Sequence, residues 1–271
     1  MADRPSIWVR KFVKWGDNPG FEDTQYVLIT SLPTFVAVQF ATNSLPINTY
    51  FLNSTLLLIT PAKHFIDVRI YLDPDDAYRG WEDCVHEEER LQFAFAGTSI
   101  SAEGDGDHPA RVTTTIWTHW VDFDETEADS VKRESKIFRQ PSGNMLEMGT
   151  MKHPDTGKKE EFVHAWEKFS IDEGPKIGWV WNVEGEEEGI RGLFIRIGSV
   201  AQGVYRHGEE IRVGRTTGIG VAEGDWDVPQ FSIGKGDVSL TELFFDEAQL
   251  GQNFVGKFGE IWQCVESFTW T

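Results

Sequence analysis

The stretch RLQFAFAGTSIS, residues 90–101, separates large from small side chains with a period of two. The bulky positions are Leu91, Phe93 and Phe95, and the small or polar positions are Ala94, Ala96 and Thr98. Alternate side chains of a strand point to opposite faces, so the bulky face is expected to fill a barrel core. The small face lets another element, or a bound molecule, approach closely, and Gly97 fits a bulge. A packed neighbour needs fewer assumptions than a ligand.

The rest of the chain has the same β character. Eleven Trp, nineteen Phe and twenty-six Gly favour strands joined by tight turns. Strands are predicted at 7–15, 65–72, 91–99, 111–123, 136–139, 145–151, 161–171, 192–205 and 259–270. Helical patterns are few and short, and the best runs from Ser239 to Gly251, where an alternating strand is nearly as plausible. An all-β barrel or sandwich is therefore predicted.

A change of composition near Gly174 divides the chain into residues 1–174 and residues 175–271. Residues 161–166, EFVHAW, are echoed by residues 258–262, FGEIW. This echo suggests a duplicated barrel without establishing it.

Charge and cysteine content exclude several classes of function. Twenty-five Lys and Arg against forty-four Asp and Glu give a net charge of −19. Such a field repels nucleic acids and anionic lipids. It would favour a partner with a basic surface, although the solubility of a cytosolic protein is the simpler explanation of the charge. Cys84 and Cys264 are predicted to be free thiols of a reducing compartment. Because residues 1–20 lack the pattern of a secretory signal, we expect a cytoplasmic and also nuclear location.

Cofactor and metal signatures are weak in this sequence. Residues 218–224, GIGVAEG, depart from the dinucleotide-binding loop in the spacing of the third glycine. No HExxH, GxSxG or phosphate-binding loop occurs. We therefore expect no cofactor, no metal and no catalytic residue.

Histidines among aromatic residues leave an enzymatic function as a third hypothesis. His119 and His164 lie in predicted strands, and either could work with a carboxylate. Glu147 and Glu161 could face each other across the hairpin at residues 154–157, as a glycosidase requires, although exposed hairpin carboxylates are commoner.

Aromatic residues on the predicted strands suit the lining of a hollow barrel. A barrel of this size can enclose a small apolar ligand, although strand aromatics are usually core. The candidate lining residues are Trp117, Trp120, His164, Trp166 and Trp262.

An acidic run at residues 122–129 precedes Ser130, which suits an acid-directed kinase. A solvated hairpin tip explains the run equally well. The candidate partner-contact residues are Asp122, Asp124, Glu125, Glu127 and Asp129, and the candidate phosphosite is Ser130.

Several short segments, in the same order along the chain, resemble the fungal Hri-type family, whose yeast member is named for interacting with casein kinase I. They are residues 93–99 (FAFAGTS), 64–69, 160–162 with Trp166, 192–198 with 202–203, and Trp262 with 265–266. The resemblance implies two lipocalin-like β-barrel domains, no known enzymatic activity, a cytosolic and nuclear location, and contact with a kinase of the casein kinase I type.

One segment departs from that resemblance. Residues 24–62 contain no Asp, Glu, Lys, Arg or His over 39 residues, and prolines interrupt them before a membrane helix could form. Residues 25–30 would connect almost directly to His64 in the family pattern. We therefore interpret residues 31–62 as an insertion or as translated intron sequence.

The preferred hypothesis is a non-enzymatic protein-interaction module, a binding partner or substrate of a casein kinase I-type kinase. The alternative is a lipocalin-like protein that binds a small apolar ligand.

Overall fold

The structure is a computed structural model. It describes residues 4–16, 26–32, 35–41, 52–72, 90–103, 112–125, 131–154, 156–171, 174–185, 189–216, 231–234, 248–256 and 259–271.

Eight strands of the N-terminal part form a closed antiparallel barrel. Its strands are β1 (Ser6–Trp15), β4 (Leu52–Ile59), β5 (His64–Leu72), β6 (Leu91–Glu103), β7 (Val112–Asp122), β8 (Lys132–Arg139), β9 (Met145–Lys152) and β10 (Lys159–Phe169). They pair in the order β1-β10-β9-β8-β7-β6-β5-β4, and β4 closes the circle against β1. A separate hairpin consists of β2 (Tyr26–Leu32) and β3 (Phe35–Ala41).

The remaining strands form a second antiparallel sheet of seven strands. They are β11 (Ile177–Gly185), β12 (Ile190–Ile197), β13 (Val200–His207), β14 (Glu210–Thr216), β15 (Phe231–Ile233), β16 (Asn253–Val255) and β17 (Ile261–Thr269). Their spatial order is β15-β14-β13-β12-β11-β17-β16. The prediction of an all-β fold is confirmed. No α-helix occurs in the described ranges, and most of the predicted helix from Ser239 to Gly251 lies outside them.

The single strand predicted at residues 192–205 is wrong, because two strands occupy this range. β12 ends at Ile197 and β13 begins at Val200. The turn between them contains Gly198 with φ +62°, a backbone conformation that residues with a side chain rarely adopt. A Cβ at Gly198 would also lie 2.9 Å from the carbonyl oxygen of Pro175. The turn is flanked on both sides by apolar residues, so the pattern of hydrophobic residues did not indicate a break between two strands.

Residues 93–96 of β6 present the two faces that the sequence predicts. Phe93 and Phe95 pack inside the barrel with other residues of the barrel strands. Ala94 and Ala96 are fully buried on the outer face. There they belong to a cluster, here called the interface cluster, that joins barrel residues to residues of the second sheet such as Leu193 and Ile195. The small face therefore receives a packed neighbour.

Two irregularities bound this alternating segment. The pairing of β5 with β6 shifts between Arg69 and Ile70, so Leu91 faces the interface cluster and not the barrel interior, contrary to the prediction. At the other end, the pairing of β6 with β7 shifts between Ala96 and Gly97. The bulge expected at Gly97 is confirmed, and a Cβ there would overlap the Thr118 carbonyl oxygen.

Polar side chains of the second sheet bind the backbone of β4 and β5. The Gln202 amide donates to the carbonyl oxygens of Leu56 and Ile66 at 3.0 and 3.2 Å. Arg215 donates to Gln202 Oε1 at 2.8 Å and to the Val68 carbonyl oxygen at 3.0 Å. Both side chains are buried, and burial lowers the pKa of Arg215 to about 9. Because each donor meets a carbonyl fixed in the barrel wall, these bonds set the position of the second sheet.

Two further contacts hold the edges of this interface. Arg206 donates through Nη2 to the carbonyl oxygens of Asp122 and Phe123, both at 2.6 Å. Glu266 accepts from the Ala62 backbone NH at 2.9 Å and contacts His64 Nδ1 at 2.8 Å. The second sheet is therefore fixed at both the β4–β5 turn and the end of β7.

The charge-free segment divides into parts with different roles. Residues 52–59 are β4, which closes the barrel between β1 and β5, and Leu56, Leu57 and Leu58 are buried. Removing residues 31–62 would delete one barrel strand and two of its pairings. The interpretation of the whole segment as an insertion or artefact is therefore wrong for residues 52–62, and it can apply only to residues before Leu52.

Enlarging the small face tests its role. We expect Ala96→Leu to lower the free energy of unfolding by about 1–3 kcal/mol, because the added atoms must displace the second sheet. Thr98→Leu is the matched control, because Thr98 lies on the same face of β6 but is exposed. It should cost less than about 0.5 kcal/mol in urea denaturation. Equal losses for both variants would show that the small face is not required for packing.

Candidate functional site

The barrel interior is filled by its own aromatic and aliphatic side chains. The thirteen buried residues of this interior cluster are Trp8, Val13, Trp15, Leu57, Phe65, Phe93, Phe95, Trp117, Ile137, Met145, Met151, Phe162 and Trp166. Many of the rings meet edge to face, for example Phe65 and Trp117 with centroids 4.8 Å apart. The cluster occupies the volume that a lipocalin-like protein would leave for a ligand.

Three carboxylates nevertheless lie inside this apolar cluster, and each has a partner. The first is Asp67, which accepts from Arg69 Nη2 at 2.7 Å and from Nε at 3.2 Å. The Arg69 guanidinium also lies 5.5 Å from the ring centroids of Phe93 and Phe95. Both charged residues are almost fully buried, so the pair neutralises two charges in a medium that would otherwise exclude them.

The second carboxylate, Asp122, contacts His119. His119 Nδ1 lies 2.5 Å from Asp122 Oδ2, and Arg133 Nη2 lies 3.5 Å from the same oxygen. Burial lowers the pKa of His119, although the hydrogen bond to Asp122 opposes this shift. Burial alone would raise the pKa of Asp122, but the hydrogen bond from His119 and the charges nearby lower it. At neutral pH this arrangement places an NH of neutral His119 against a charged carboxylate.

The third carboxylate, Glu147, lies against β10. Glu147 Oε2 accepts from Trp166 Nε1 at 3.0 Å and lies 3.3 Å from His164 Nδ1. Burial raises the pKa of Glu147, opposed by the charge of Arg69. Burial also lowers the pKa of His164 well below its usual value, helped by Arg69 and Arg10. Burial therefore shifts both groups toward their neutral forms.

A small cavity of about 30 Å³ remains among these groups. His119 and Arg133 line it, and the buried atoms His119 Nε2 and Arg133 Nη1 have no hydrogen-bond partner. A space of that size holds one or two water molecules, and unpartnered buried polar atoms are the usual partners of such water. We expect ordered water at this position.

The histidine–carboxylate pairs resemble the orienting pair of a general base. Catalysis also requires space for a substrate beside the base. Small-molecule sites typically measure about 300–1,000 Å³, whereas the cavity beside His119 measures about 30 Å³. In the structure both histidines are buried, and each contacts a carboxyl group of the interior.

A much larger opening lies where β8 and β9 separate. These strands pair only from Ser135–Gly149 to Arg139–Met145. Beyond this point an open cleft of about 1130 Å³ is lined by both strands and by parts of β1 and β10. Arg133, Met151 and Phe162 line both the cleft and the internal cavity, so the cleft reaches the barrel interior. We call it the β8–β9 cleft.

The aromatic residues and the histidine that the sequence proposed as a barrel lining lie in three different parts of the structure. Trp117, His164 and Trp166 lie inside the barrel. Trp120 does not, because it lies three residues from Trp117, and alternation along β7 places the two rings on opposite faces. Arg191 lies 4.9 Å from the Trp120 ring centroid. Trp262 is buried on the face of the second sheet that is directed away from the interface cluster.

The acidic residues proposed as partner contacts also separate. Asp124 and Glu125 are exposed and line the β8–β9 cleft. Asp122 is not a surface contact, because its side chain faces the interior and binds His119. Glu127, Asp129 and Ser130 lie outside the described residues.

The proposed pair of Glu147 and Glu161 is not formed. Glu147 is opposite His164 across the β9–β10 ladder, whereas Glu161 is opposite Thr150. Glu147 is buried and Glu161 is exposed, because they occupy opposite faces of the hairpin. This pair therefore cannot act as the two carboxylates of a glycosidase.

Sequence reasoning missed the charged pair of β5. Residues 65–71 read FIDVRIY, with Asp67 and Arg69 at alternate positions of an otherwise apolar strand. Two opposite charges on one face of such a strand are a signal for a buried pair, because a strand with both faces covered must neutralise them. The partners of His119 and His164 required the register of the barrel.

The residues that the structure describes include neither a membrane-spanning helix nor a metal-binding cluster. No helix there is long and apolar enough to cross a membrane. No three His, Cys, Asp or Glu side chains in these ranges could together hold a metal ion.

The sequence matches the model of a known protein family. A model of the family described as Protein HRI1 matches residues 44–266. The chain belongs to the HRI1 family. The resemblance read from the short segments is therefore confirmed, and the match includes β4.

A solved structure shows the same fold. The crystal structure of an uncharacterized protein from Saccharomyces cerevisiae, YLR301w, superposes with a TM-score of 0.63 over 98% of this chain and 100% of the yeast chain. The two sequences are 16% identical, so the likeness concerns the fold. No curated protein matches the sequence.

The buried histidines predict a pH-dependent stability. Their folded pKa values are lowered, so the unfolded chain binds protons below about pH 6.5 that the folded chain does not. The free energy of unfolding therefore decreases as pH falls from about 6.5 toward the folded pKa values of the two histidines. Between pH 7.5 and 5.5, His164→Phe should lose about 1 kcal/mol less unfolding free energy than the original protein.

Chemical denaturation at the two pH values measures this difference. His207→Phe replaces an exposed histidine and controls for the loss of a histidine as such. An identical pH dependence in His164→Phe and the original protein would contradict the assignment of His164 as a buried neutral group.

Proposed function

We propose that this protein is a non-enzymatic interaction module, and that a kinase of the casein kinase I type binds it or phosphorylates it. The observation that carries the proposal is the filled barrel. Thirteen buried side chains occupy its interior and leave a cavity of about 30 Å³, so the outer surface is the part of the barrel available for recognition.

The charge of the chain supports a basic partner. A net charge of −19 attracts a positively charged surface over a distance of about 8–10 Å at physiological salt. The acidic run supplies exposed carboxylates at Asp124 and Glu125, immediately before residues 126–130. Its sequence, with Ser130 at the end, fits either a docking contact or a phosphorylation site for an acid-directed kinase.

The kinase itself is proposed from the family resemblance. The chain belongs to the HRI1 family, and the resemblance described in the sequence analysis connects the yeast member of that family with casein kinase I. A shared location in the cytoplasm and nucleus is part of the same proposal.

A titration against a purified casein kinase I catalytic domain tests this proposal. We expect saturable binding that weakens between low and physiological salt. Reversing three charges of the acidic run, with Glu125, Glu127 and Asp129 each changed to Lys, should weaken binding about tenfold or more.

The chain offers a matched control in its other acidic loop. Glu184, Glu186 and Glu187, each changed to Lys, alter the net charge by the same amount. If both triple variants bind equally weakly, the interaction depends on overall charge and not on the acidic run. An absence of saturable binding at micromolar concentration would refute the kinase as a direct partner.

A second candidate function belongs to the second sheet. The face directed away from the barrel carries Trp179, Trp181 and Trp262, all buried, and the Trp262 and Tyr205 ring centroids lie 5.9 Å apart. We propose that this sheet closes into a second, lipocalin-like barrel, in which these rings would line a site for a small apolar molecule. Saturable, one-to-one binding of an apolar fluorescent probe, weakened by Trp262→Ala but not by Trp117→Ala, would favour this function.

A further inference from the structure

The β8–β9 cleft leaves short segments of two neighbouring strands without a strand between them. On β8 these are residues 132–134, which pair with β7 on their other side. On β9 they are residues 150–152, which pair with β10 on their other side. Strand edges of this kind offer backbone NH and C=O groups to an added extended segment.

The charges that line this cleft differ in sign from the charge of the whole protein. Among the described residues, six cationic side chains line it against four carboxylates, in a chain with a net charge of −19. The cationic residues are Lys14, Lys132, Arg133, Lys136, Lys152 and Lys159.

Most of these lysines are not neutralised by the protein itself. Lys152 pairs with Asp124 at 3.2 Å, in an exposed contact. Lys132, Lys136 and Lys159 are exposed, and none of them forms an ion pair with another described residue. Because these ammonium groups have no carboxylate partner among the described residues, they are available to an anionic occupant.

The base of the cleft adds a directed donor. Arg133 lies 4.9 Å from the Phe95 ring centroid and contacts Asp122 through Nη2, which fixes its guanidinium. Its Nη1 atom is buried and unpartnered, and the residue lines both the cleft and the internal cavity. A guanidinium held in this way suits a carboxylate or phosphate oxygen, either directly or through the expected water.

We propose that the β8–β9 cleft binds an extended peptide segment with anionic side chains, which are either carboxylates or phosphates. The size of the cleft, about 1130 Å³, suits several residues of a peptide better than a free anion. The strand edges bind its backbone, and the rim lysines bind its acidic side chains. This site extends the proposed interaction function by naming a second partner chemistry, because the acidic run would bind a basic surface.

Fluorescence anisotropy with three labelled ten-residue peptides of otherwise identical sequence tests the proposal. One carries four glutamates, one carries four phosphoserines, and one carries four serines. We expect the full chain to bind the glutamate or phosphoserine peptide at least tenfold more tightly than the serine peptide, and the preferred anion identifies the source. Binding should weaken as salt rises.

Charge reversal in the cleft should remove this preference. We expect the variant Lys136→Glu with Lys159→Glu to bind the anionic peptide at least tenfold more weakly, with an unchanged melting temperature. The control variant, Lys168→Glu with Lys176→Glu, changes the net charge equally at exposed lysines outside the cleft and should bind as the original protein does.

Three results would overturn the proposal: equal binding of the serine peptide, no binding of either anionic peptide, or equal weakening by the cleft and control variants. The kinase titration is independent of this assay, since the peptides contain no kinase sequence. Kinase binding that survives the cleft variant while peptide binding is lost would support the cleft and leave the kinase proposal intact.

Discussion

The close approach of the second sheet to the barrel wall is the constraint on which the architecture depends. It requires small side chains on the outer face of β6, and Ala94 and Ala96 meet the interface cluster there with no exposed surface. The same alternation sends Phe93 and Phe95 inward. One strand therefore both fills the barrel and receives its neighbour, and beyond the bulge opposite Gly97 the outer face of β6 is exposed at Thr98.

Two kinds of buried polar contact follow from this arrangement. Across the interface, Gln202 and Arg215 bind carbonyl oxygens of β4 and β5, so the apolar contact acquires a fixed register. Inside the barrel, the carboxylates Asp67, Asp122 and Glu147 are each held by a cationic or neutral donor. Such groups are costly to leave unpaired, so they favour one arrangement of the strands over its alternatives. These contacts specify how the interior is packed.

The sequence predicted the elements that local periodicity controls. Alternation located eight strands and both faces of residues 93–96, but it joined β12 and β13 into one strand. The short segments quoted in the sequence analysis indicated the HRI1 family. Prediction from local periodicity failed where the pairing of strands determines which face a residue occupies. Leu91 lies next to a bulge, which reverses the face of a residue without any change in the local pattern. β4 was missed because a charge-free strand with both faces buried resembles an insertion. The partners of His119 and His164 depend on residues three and seventeen positions away, and only the fold brings the distant one close.

The central claim is that the barrel is filled by its own side chains, so recognition takes place on its outside. The most direct measurement compares the mass of the purified protein under native and denaturing conditions. We predict that the native mass equals the mass of the polypeptide alone, apart from weakly bound water. A small molecule that is retained in the native spectrum, released on denaturation, and lost in a Trp117→Ala or Trp166→Ala variant would contradict the claim. Such a result would show that the barrel binds a small molecule in its interior.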